Sequence, residues 1–340
     1  MKIAVLFGGT STERDVSIAS AAQIVAALRK SDHLVTAVDT AKGILSLAEE
    51  EQILRTDVSA DPPSDEELAA CQADNYFVKN LAKLQEFDVI FFALHGGTGE
   101  DGTIQAALDL LGVPYTGTGH MASSIAMDKD IAKRLFIRNE IPTAKWLMAP
   151  VSHEEVENVM KYPVVVKPNN QGSTIGLTIV KHPQGLETAI ETAYHFSDEV
   201  MIEQYIPGRE LTVGILNDRP LAVGEIFPKG DHFDYESKYQ KGGAEEIFPA
   251  NLGEDEKKRI QELALNAHRA LKLKGYSRVD FRMDPDGEFW CLEANTLPGM
   301  TSSSLLPQSA KAEGIAFPEL CDQICQLALQ QAHRNTISPA

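Results

Sequence analysis

The sequence predicts an α/β and α+β chain of three parts: an N-terminal doubly wound parallel sheet followed by two α+β domains. Lys2–Phe7, Leu34–Val38 and Asp88–Leu94 are compact β runs set apart by helical stretches, the rhythm of a parallel sheet. After Gly117-Thr118-Gly119 the pattern turns to hairpin-like strand pairs. A chain of 340 residues also has room for two or three domains, at about 100–150 residues each.

In order, strand Lys2–Phe7 runs through Gly8-Gly9-Thr10-Ser11 into an Ala-rich helix over Val16–Leu28, and Asp88–Leu94 precedes helix Thr103–Leu111 and the turn Gly112-Val113-Pro114. Helix Met121–Asn139 then leads through Ile141-Pro142 to strands at Val164–Lys167, Thr174–Val180 and Met201–Tyr205. Arg209–Ile226 reads as an antiparallel pair turning at Asn217-Asp218. Helix Asp255–Leu273, strands Arg278–Asp284 and Phe289–Asn295, and a terminal helix over Phe317–Ala332 complete the chain. These shifts set boundaries at 1–117, 118–208 and 209–340.

Charge narrows the function classes. There are 49 acids against 31 bases, a formal net charge of −18, which disfavours nucleic-acid binding through phosphate neutralisation. The apolar runs Ile3–Phe7 and Val89–Leu94 fall far short of a membrane span, which needs about 20 residues. Ile3–Phe7 is also shorter than the apolar core of a signal peptide, about 7–15 residues, so a cytoplasmic location without a membrane partner is expected. Glu49–Asp74 holds nine acids and one base, Arg55, together with Pro62-Pro63, and reads as a solvated linker with a short helix. Cys71, Cys291, Cys321 and Cys325 complete no four-ligand metal set and imply no disulfide framework; Cys321 and Cys325 lie on an apolar helix face.

Common nucleotide and zinc signatures are missing. No G-x-x-x-x-G-K-[ST] occurs, Gly8-Gly9 lacks the later glycine of G-x-G-x-x-G, and His153-Glu154 has no second histidine at zinc-protease spacing.

The most informative stretch is Arg278–Asn295. Pro285-Asp286-Gly287 between two alternating runs is a hairpin signal. Val279, Phe281 and Met283 share one face of the first strand, and Trp290, Leu292 and Ala294 one face of the second. Two registers join these faces: Asp280 opposite Cys291, or Asp280 opposite Glu293 with Arg278 opposite Asn295 and a four-residue loop Pro285–Glu288. The second gathers Asp280, Glu293 and Asn295 into a hard-oxygen set suited to Mg2+. Periodicity alone equally fits the wet face of a half-buried hairpin. The following Thr296–Ser304 run supplies hydroxyls and backbone amides after Gly299, a nest for an oxyanion or carboxylate.

Two further stretches carry polar chemistry. Tyr162–Gly176 delivers Lys167 from a buried strand into the glycine-containing loop around Gly172-Ser173, which suits phosphate. His95–Gly102 follows a parallel strand at the edge where ligands bind in open α/β sheets.

In this order the motifs resemble the D-alanine–D-alanine ligases of the ATP-grasp fold. The matching elements are Gly8–Ser17, His95–Gly102, Pro114–Gly117, Met127–Lys129, Val166–Pro168, Gly172-Ser173, Tyr235–Tyr239 and Glu293–Ser302; Lys42–Lys79 contributes none. The resemblance implies two nucleotide-clamping α+β domains and ligation of two D-alanines through a D-alanyl phosphate, for peptidoglycan precursors. It places Lys129 and Lys167 on the ATP phosphates, Glu203 near the adenine, Glu210 on the ribose, and Asp280, Glu293 and Asn295 on two Mg2+ (or Mn2+). Arg278 and the Gly299 N–H stabilise the oxyanion. Glu13 takes the ammonium of the first D-alanine with His95 lining that subsite, and Ser304 and Lys238 hold the carboxylate of the second. Glu13, Ser173 and Tyr239 form a hydrogen-bonded set, with Gln171–Gly176 and Phe227–Ala250 as lids. A homodimer is implied as well. The rival readings are another ATP-grasp carboxylate–amine ligase, such as a D-alanine–D-lactate ligase, and a non-catalytic nucleotide-binding relative.

Overall fold

The computed structural model describes residues 1–56, 58, 63–72, 76–228 and 244–337. Three sheets organise them. The first contains β1 (Lys2–Phe7), β2 (Leu34–Asp39), β3 (Gly43–Ile44) and β4 (Val89–Phe92) in the order β3-β2-β1-β4. β1 pairs parallel with both β2 and β4, as the βαβ rhythm predicts, but the two-residue β3 adds antiparallel to β2. The sheet is therefore mixed rather than wholly parallel. β1 is hydrophobic without alternation from Ile3 to Phe7 because it is central and covered on both faces.

Leu320, Cys321, Ile324 and Cys325, from the terminal helix Phe317–Ile337, join the core of this first sheet. The chain thus returns to its beginning, and burial pushes both thiols far up, so they are inert packing groups. The acidic stretch is more ordered than a solvated linker. It carries helices Leu47–Ile53 and Asp65–Gln72, and Glu50 is buried against Arg29 at 2.8 Å.

The second sheet contains β5 (Trp146–Met148), β6 (Val164–Pro168), β7 (Thr178–Val180) and β8 (Val200–Gln204) in the antiparallel order β5-β8-β6-β7. Two expectations change here. The helix expected over Met121–Asn139 is two helices, His120–Met127 and Lys129–Arg138, because Asp128 adopts an extended backbone and accepts the Ile131 N–H as a new N-cap. The strand expected from Thr174 starts only at Thr178, because Ser173 and Thr174 have φ of 50° and 63°, outside the β region.

The third sheet contains β9 (Arg209–Leu216), β10 (Arg219–Pro228), β11 (Ala244–Ile247), β12 (Tyr276–Met283) and β13 (Phe289–Asn295) in the order β11-β10-β9-β12-β13. Asn217 and Asp218 turn the β9–β10 hairpin with φ of 52° and 57°. In the β12–β13 hairpin, Arg278 faces Asn295 and Asp280 faces Glu293, but Phe281 faces Cys291. Leu292 is thus an extra residue in a bulge, and the loop lengthens to Asp284–Glu288. The bulge reverses the expected faces beyond it: Phe289 and Cys291 are buried with Phe281 and Met283, whereas Trp290 and Leu292 are turned out of that core. Ala294, on the C-terminal side of the bulge, keeps its expected place in the core.

Candidate active site

The site lies where the three sheets meet and has two adjoining cavities. One, of about 180 Å³, is lined by Lys129, Lys167, Glu203, Glu210, Asp280 and Leu292, among others. The other, of about 410 Å³, is lined by Glu13, His95, Glu100, Asn295, Gly299 and Ser304, among others. Gly172, Ser173, Arg278, Glu293 and Leu305 border both, so the two cavities share one wall.

In the smaller cavity, Val165, Ile179, Ile226 and Leu292 present apolar surface beside charged side chains. Glu203 receives Lys167 at 2.6 Å on Oε2 and Lys133 at 2.5 Å on Oε1. Burial alone would raise the Glu203 pKa; the two ammonium groups reverse this and hold it at about 2. Lys129, at the start of the helix Asp128 caps, donates to the Gln171 carbonyl at 2.6 Å and pairs with Glu293 at 3.3 Å. Glu210 meets Arg282 at 3.2 Å.

Arg278 sits on the shared wall. Its Nε and Nη2 grip the Asp280 carboxylate at 2.9 and 2.7 Å, while the Asn295 amide and Thr212 hydroxyl donate to the same carboxylate at 2.9 and 2.7 Å. Cross-strand pairing of Asp280 with Glu293 and of Arg278 with Asn295 makes this arrangement. The donor set suits a hard divalent cation in being all oxygen; in this structure Arg278 and Lys129 neutralise its two carboxylates. It combines two carboxylates with an amide; no cluster of three or more His, Cys, Asp or Glu suited to a metal forms among the described residues.

The larger cavity is acidic, with Glu13, Glu100, Glu246 and Glu293 on its walls and Arg278 as its guanidinium, a setting that favours ammonium groups. Glu13 precedes the helix Arg14–Lys30 and accepts the Ser173 hydroxyl across 160 positions of sequence. The preceding turn is fixed by Arg14, which bonds the Gly9 carbonyl and the buried Asp39. A Cβ on Gly8, at φ +87°, would lie 2.5 Å from both Arg14 and Asp39. His95 reaches the cavity wall, but both ring nitrogens are engaged by protein. Nδ1–H donates to the Leu297 carbonyl at 3.0 Å, and Nε2 accepts from Ser20 at 3.0 Å. Burial lowers its pKa, so it is neutral. It acts as a strut between the first helix and the Leu297–Ser304 loop.

In that loop the Ser304 hydroxyl packs under Gly299, where a Cβ would come within 2.9 Å of it, and also bonds Thr301 at 2.7 Å. Ser304 begins the helix Leu305–Ala312. Lys238 and Tyr239, and most of the Phe227–Ala250 lid, lie outside the described residues.

Sequence reasoning gave no role to three features of the site. Glu100 accepts the Gly96 N–H at 3.1 Å, and burial together with Glu13 raises its pKa to about 7. Its signal was its place in the His95–Gly102 loop. Lys133 follows Lys129 by four residues and therefore shares its helix face. Thr56 and Val58, from the acidic stretch, line the larger cavity, held there beside Arg55, which pairs with Asp15 at 2.7 Å; no motif marked them.

This fold and paired-cavity site define an ATP-grasp ligase. The family models described as D-ala D-ala ligase N-terminus and C-terminus match residues 2–118 and 135–326. A D-alanine–D-alanine ligase of Granulibacter bethesdensis is 39% identical, with 97% of this chain and 99% of that protein covered. The structure of a Bacillus anthracis D-alanine–D-alanine ligase complexed with ATP superposes with a TM-score of 0.79 at 30% identity, covering 98% of this chain and 99% of that one. VanG, a D-Ala:D-Ser ligase of Enterococcus faecalis, superposes with a TM-score of 0.79 at 31% identity, over 96% and 99% of the two chains. The chain belongs to the D-alanine–D-alanine ligase family.

Proposed function

We propose that this protein joins two D-alanines with ATP, and that the single observation carrying the reading is the wall the two cavities share at Arg278 and Glu293. ATP would occupy the smaller cavity, with adenine against Val165, Ile179 and Leu292 near Glu203, ribose at Glu210, and phosphates at Lys129 and Lys167. The D-alanines would occupy the larger, the first ammonium on Glu13 and the second carboxylate near Ser304 and Lys238.

A carboxylate is a poor electrophile. An oxygen of the first D-alanine attacks the γ-phosphorus, the bond to the β-phosphate oxygen breaks, and ADP leaves. The amine of the second D-alanine then attacks the acyl carbon; a C–N bond forms, phosphate leaves and the amine gives up a proton. Asp280, Glu293 and Asn295 would hold two Mg2+ (or Mn2+), which neutralise phosphoryl charge. Arg278 and the Gly299 N–H face the tetrahedral oxyanion, and the loop carrying Ser173 excludes water from the acyl phosphate.

We assign residues 1–117 to a substrate domain and 118–208 and 209–340 to the two halves of the nucleotide clamp. A cytoplasmic homodimer supplying peptidoglycan precursors, without nucleic-acid or membrane partners, fits this reading; no described helix is long and apolar enough to cross a membrane. The test is ADP release from ATP and D-alanine with the product identified by mass. D-alanyl-D-alanine is expected. ADP release that requires D-lactate or D-serine as second substrate would move the assignment within the family, and no D-alanine-dependent ADP release would refute it.

A further inference from the structure

Lys133 is fully buried and lies outside the nucleotide cavity; burial lowers its pKa, and the Glu203 carboxylate opposes that shift. Its ammonium is fixed from three sides. It donates to Thr143 at 2.6 Å and to Glu203 at 2.5 Å, and it sits 5.1 Å from the centre of the Trp146 ring. Thr143 is itself anchored through its hydroxyl to the Cys291 carbonyl at 2.7 Å. Lys167, on the other oxygen of Glu203, differs: it lines the cavity and is partly exposed. One carboxylate thus holds two ammonium groups, one buried behind it and one lining the cavity.

Two cations on one buried anion exceed what neutrality needs, and burying each ammonium carries a desolvation penalty. The surplus has a use if Lys167 must leave. With Lys133 in place, Lys167 can turn to a phosphate without stranding Glu203 as an unpaired buried charge. The departure also frees Oε2, on the cavity side, to accept a donor N–H, while Oε1 stays fixed.

We propose that Lys133 is a positioning residue for the nucleotide, the fixed counter-cation that keeps Glu203 paired and oriented while Lys167 engages the ATP phosphates. This rests on the placement of ATP in the smaller cavity given above. Without Lys133, Lys167 becomes the sole partner of Glu203, and every nucleotide must compete with that buried pair.

The test is equilibrium binding of Mg-ATP by calorimetry, beside steady-state KM values for both substrates, in Lys133→Met, Glu203→Gln and the double variant. Lys133→Met is expected to bind ATP at least tenfold more weakly, with the D-alanine KM changed less than twofold. Glu203→Gln is expected to weaken ATP binding too. The double variant should bind no worse than Glu203→Gln alone and should melt at a higher temperature than Lys133→Met, because no buried carboxylate is left resting on Lys167 alone. Thr143→Val, which keeps the lysine but removes its anchor, should shift ATP affinity in the same direction by less, and it replaces Lys133→Met if that variant does not fold.

Unchanged ATP affinity, equal losses for ATP and D-alanine, or fully additive losses in the double variant would overturn the proposal. Unchanged ATP affinity in Glu203→Gln would instead overturn the placement of the nucleotide at Glu203, and the role of Lys133 with it.

Discussion

Replacing Arg278 by lysine keeps the positive charge on the shared wall and removes the planar fork. In the structure the fork is already in use: Nε and Nη2 hold Asp280 at 2.9 and 2.7 Å, and the guanidinium lines both cavities. A lysine ammonium is a compact point charge that cannot hold the carboxylate side-on in this way and present a second donor in a fixed direction. Losing one donor aimed at an oxyanion lowers kcat by about 10²–10³, or about 2.7–4 kcal/mol of barrier. Arg278→Lys is therefore expected to reduce dipeptide formation at saturating substrates by about two to three orders of magnitude. Mg-ATP affinity should change by no more than a few-fold, because Lys129 and Lys167 remain. The assay pairs coupled ADP release with calorimetric titration of Mg-ATP. A drop in turnover below tenfold, or a loss of ATP affinity matching the loss of turnover, would refute the oxyanion role and make Arg278 a nucleotide or structural residue.

Three other outcomes are expected. Glu293→Gln should remove most turnover with thermal stability retained, since an amide cannot replace the charge that offsets Lys129 and holds a metal; near-normal synthesis would dismiss the metal assignment. Tyr239→Phe should lower dipeptide synthesis and yield measurable D-alanyl-D-lactate, most visibly at low pH where less D-alanine is a free amine, with product ratios followed by mass; an unchanged ratio would leave the Glu13, Ser173 and Tyr239 set without a part in selectivity. Burial drives the His268 pKa down to about 4, with Asp218 opposing the shift, while Ser277 bonds its ring at 2.7 Å. The neutral ring therefore contributes stability above its ordinary value near 6.5, and on the order of 3 kcal/mol of it should be lost as pH falls toward 4; His268→Gln should flatten the denaturant-midpoint profile across that window, and an unchanged profile would count against it.

The strands were legible because their alternation, or its absence, follows directly from which faces are covered. Lys2–Phe7 and Phe289–Asn295 have the same limits in sequence and structure. Short elements were less visible, since seven residues make only two helical turns and a weak period. Leu47–Ile53 and His153–Val159 nevertheless each follow a capping box, Ser46 with Glu49 and Ser152 with Glu155, which is readable from spacing alone. β3 and β5, two and three residues long, carry no comparable signal. The candidate site was legible where chemistry sits in a motif, as for Asp280, Glu293 and Asn295. It was not where a residue acts from behind: nothing local distinguishes Lys133 from an exposed helix lysine until β8 brings Glu203 to it.

The bulge at Leu292 shows why the hairpin could be only half read. A strict period of two ties every residue of β13 to one of two faces, so the residues flanking Asp280 and those nearer the turn must share one register. The protein has two demands on this strand. At one end Glu293 and Asn295 must meet Asp280 and Arg278; at the other Phe289 and Cys291 must fill the core under the helix Glu254–Ala270. One extra residue separates them. It keeps the polar quartet in register, sends Phe289 and Cys291 inward, and frees Leu292 to line the smaller cavity. It also brings the Cys291 backbone to where its carbonyl receives Thr143, and so anchors Lys133. Hydrophobic alternation cannot announce such a residue, because Leu292 is apolar on either face. Its place is decided by the chemistry on both sides of it.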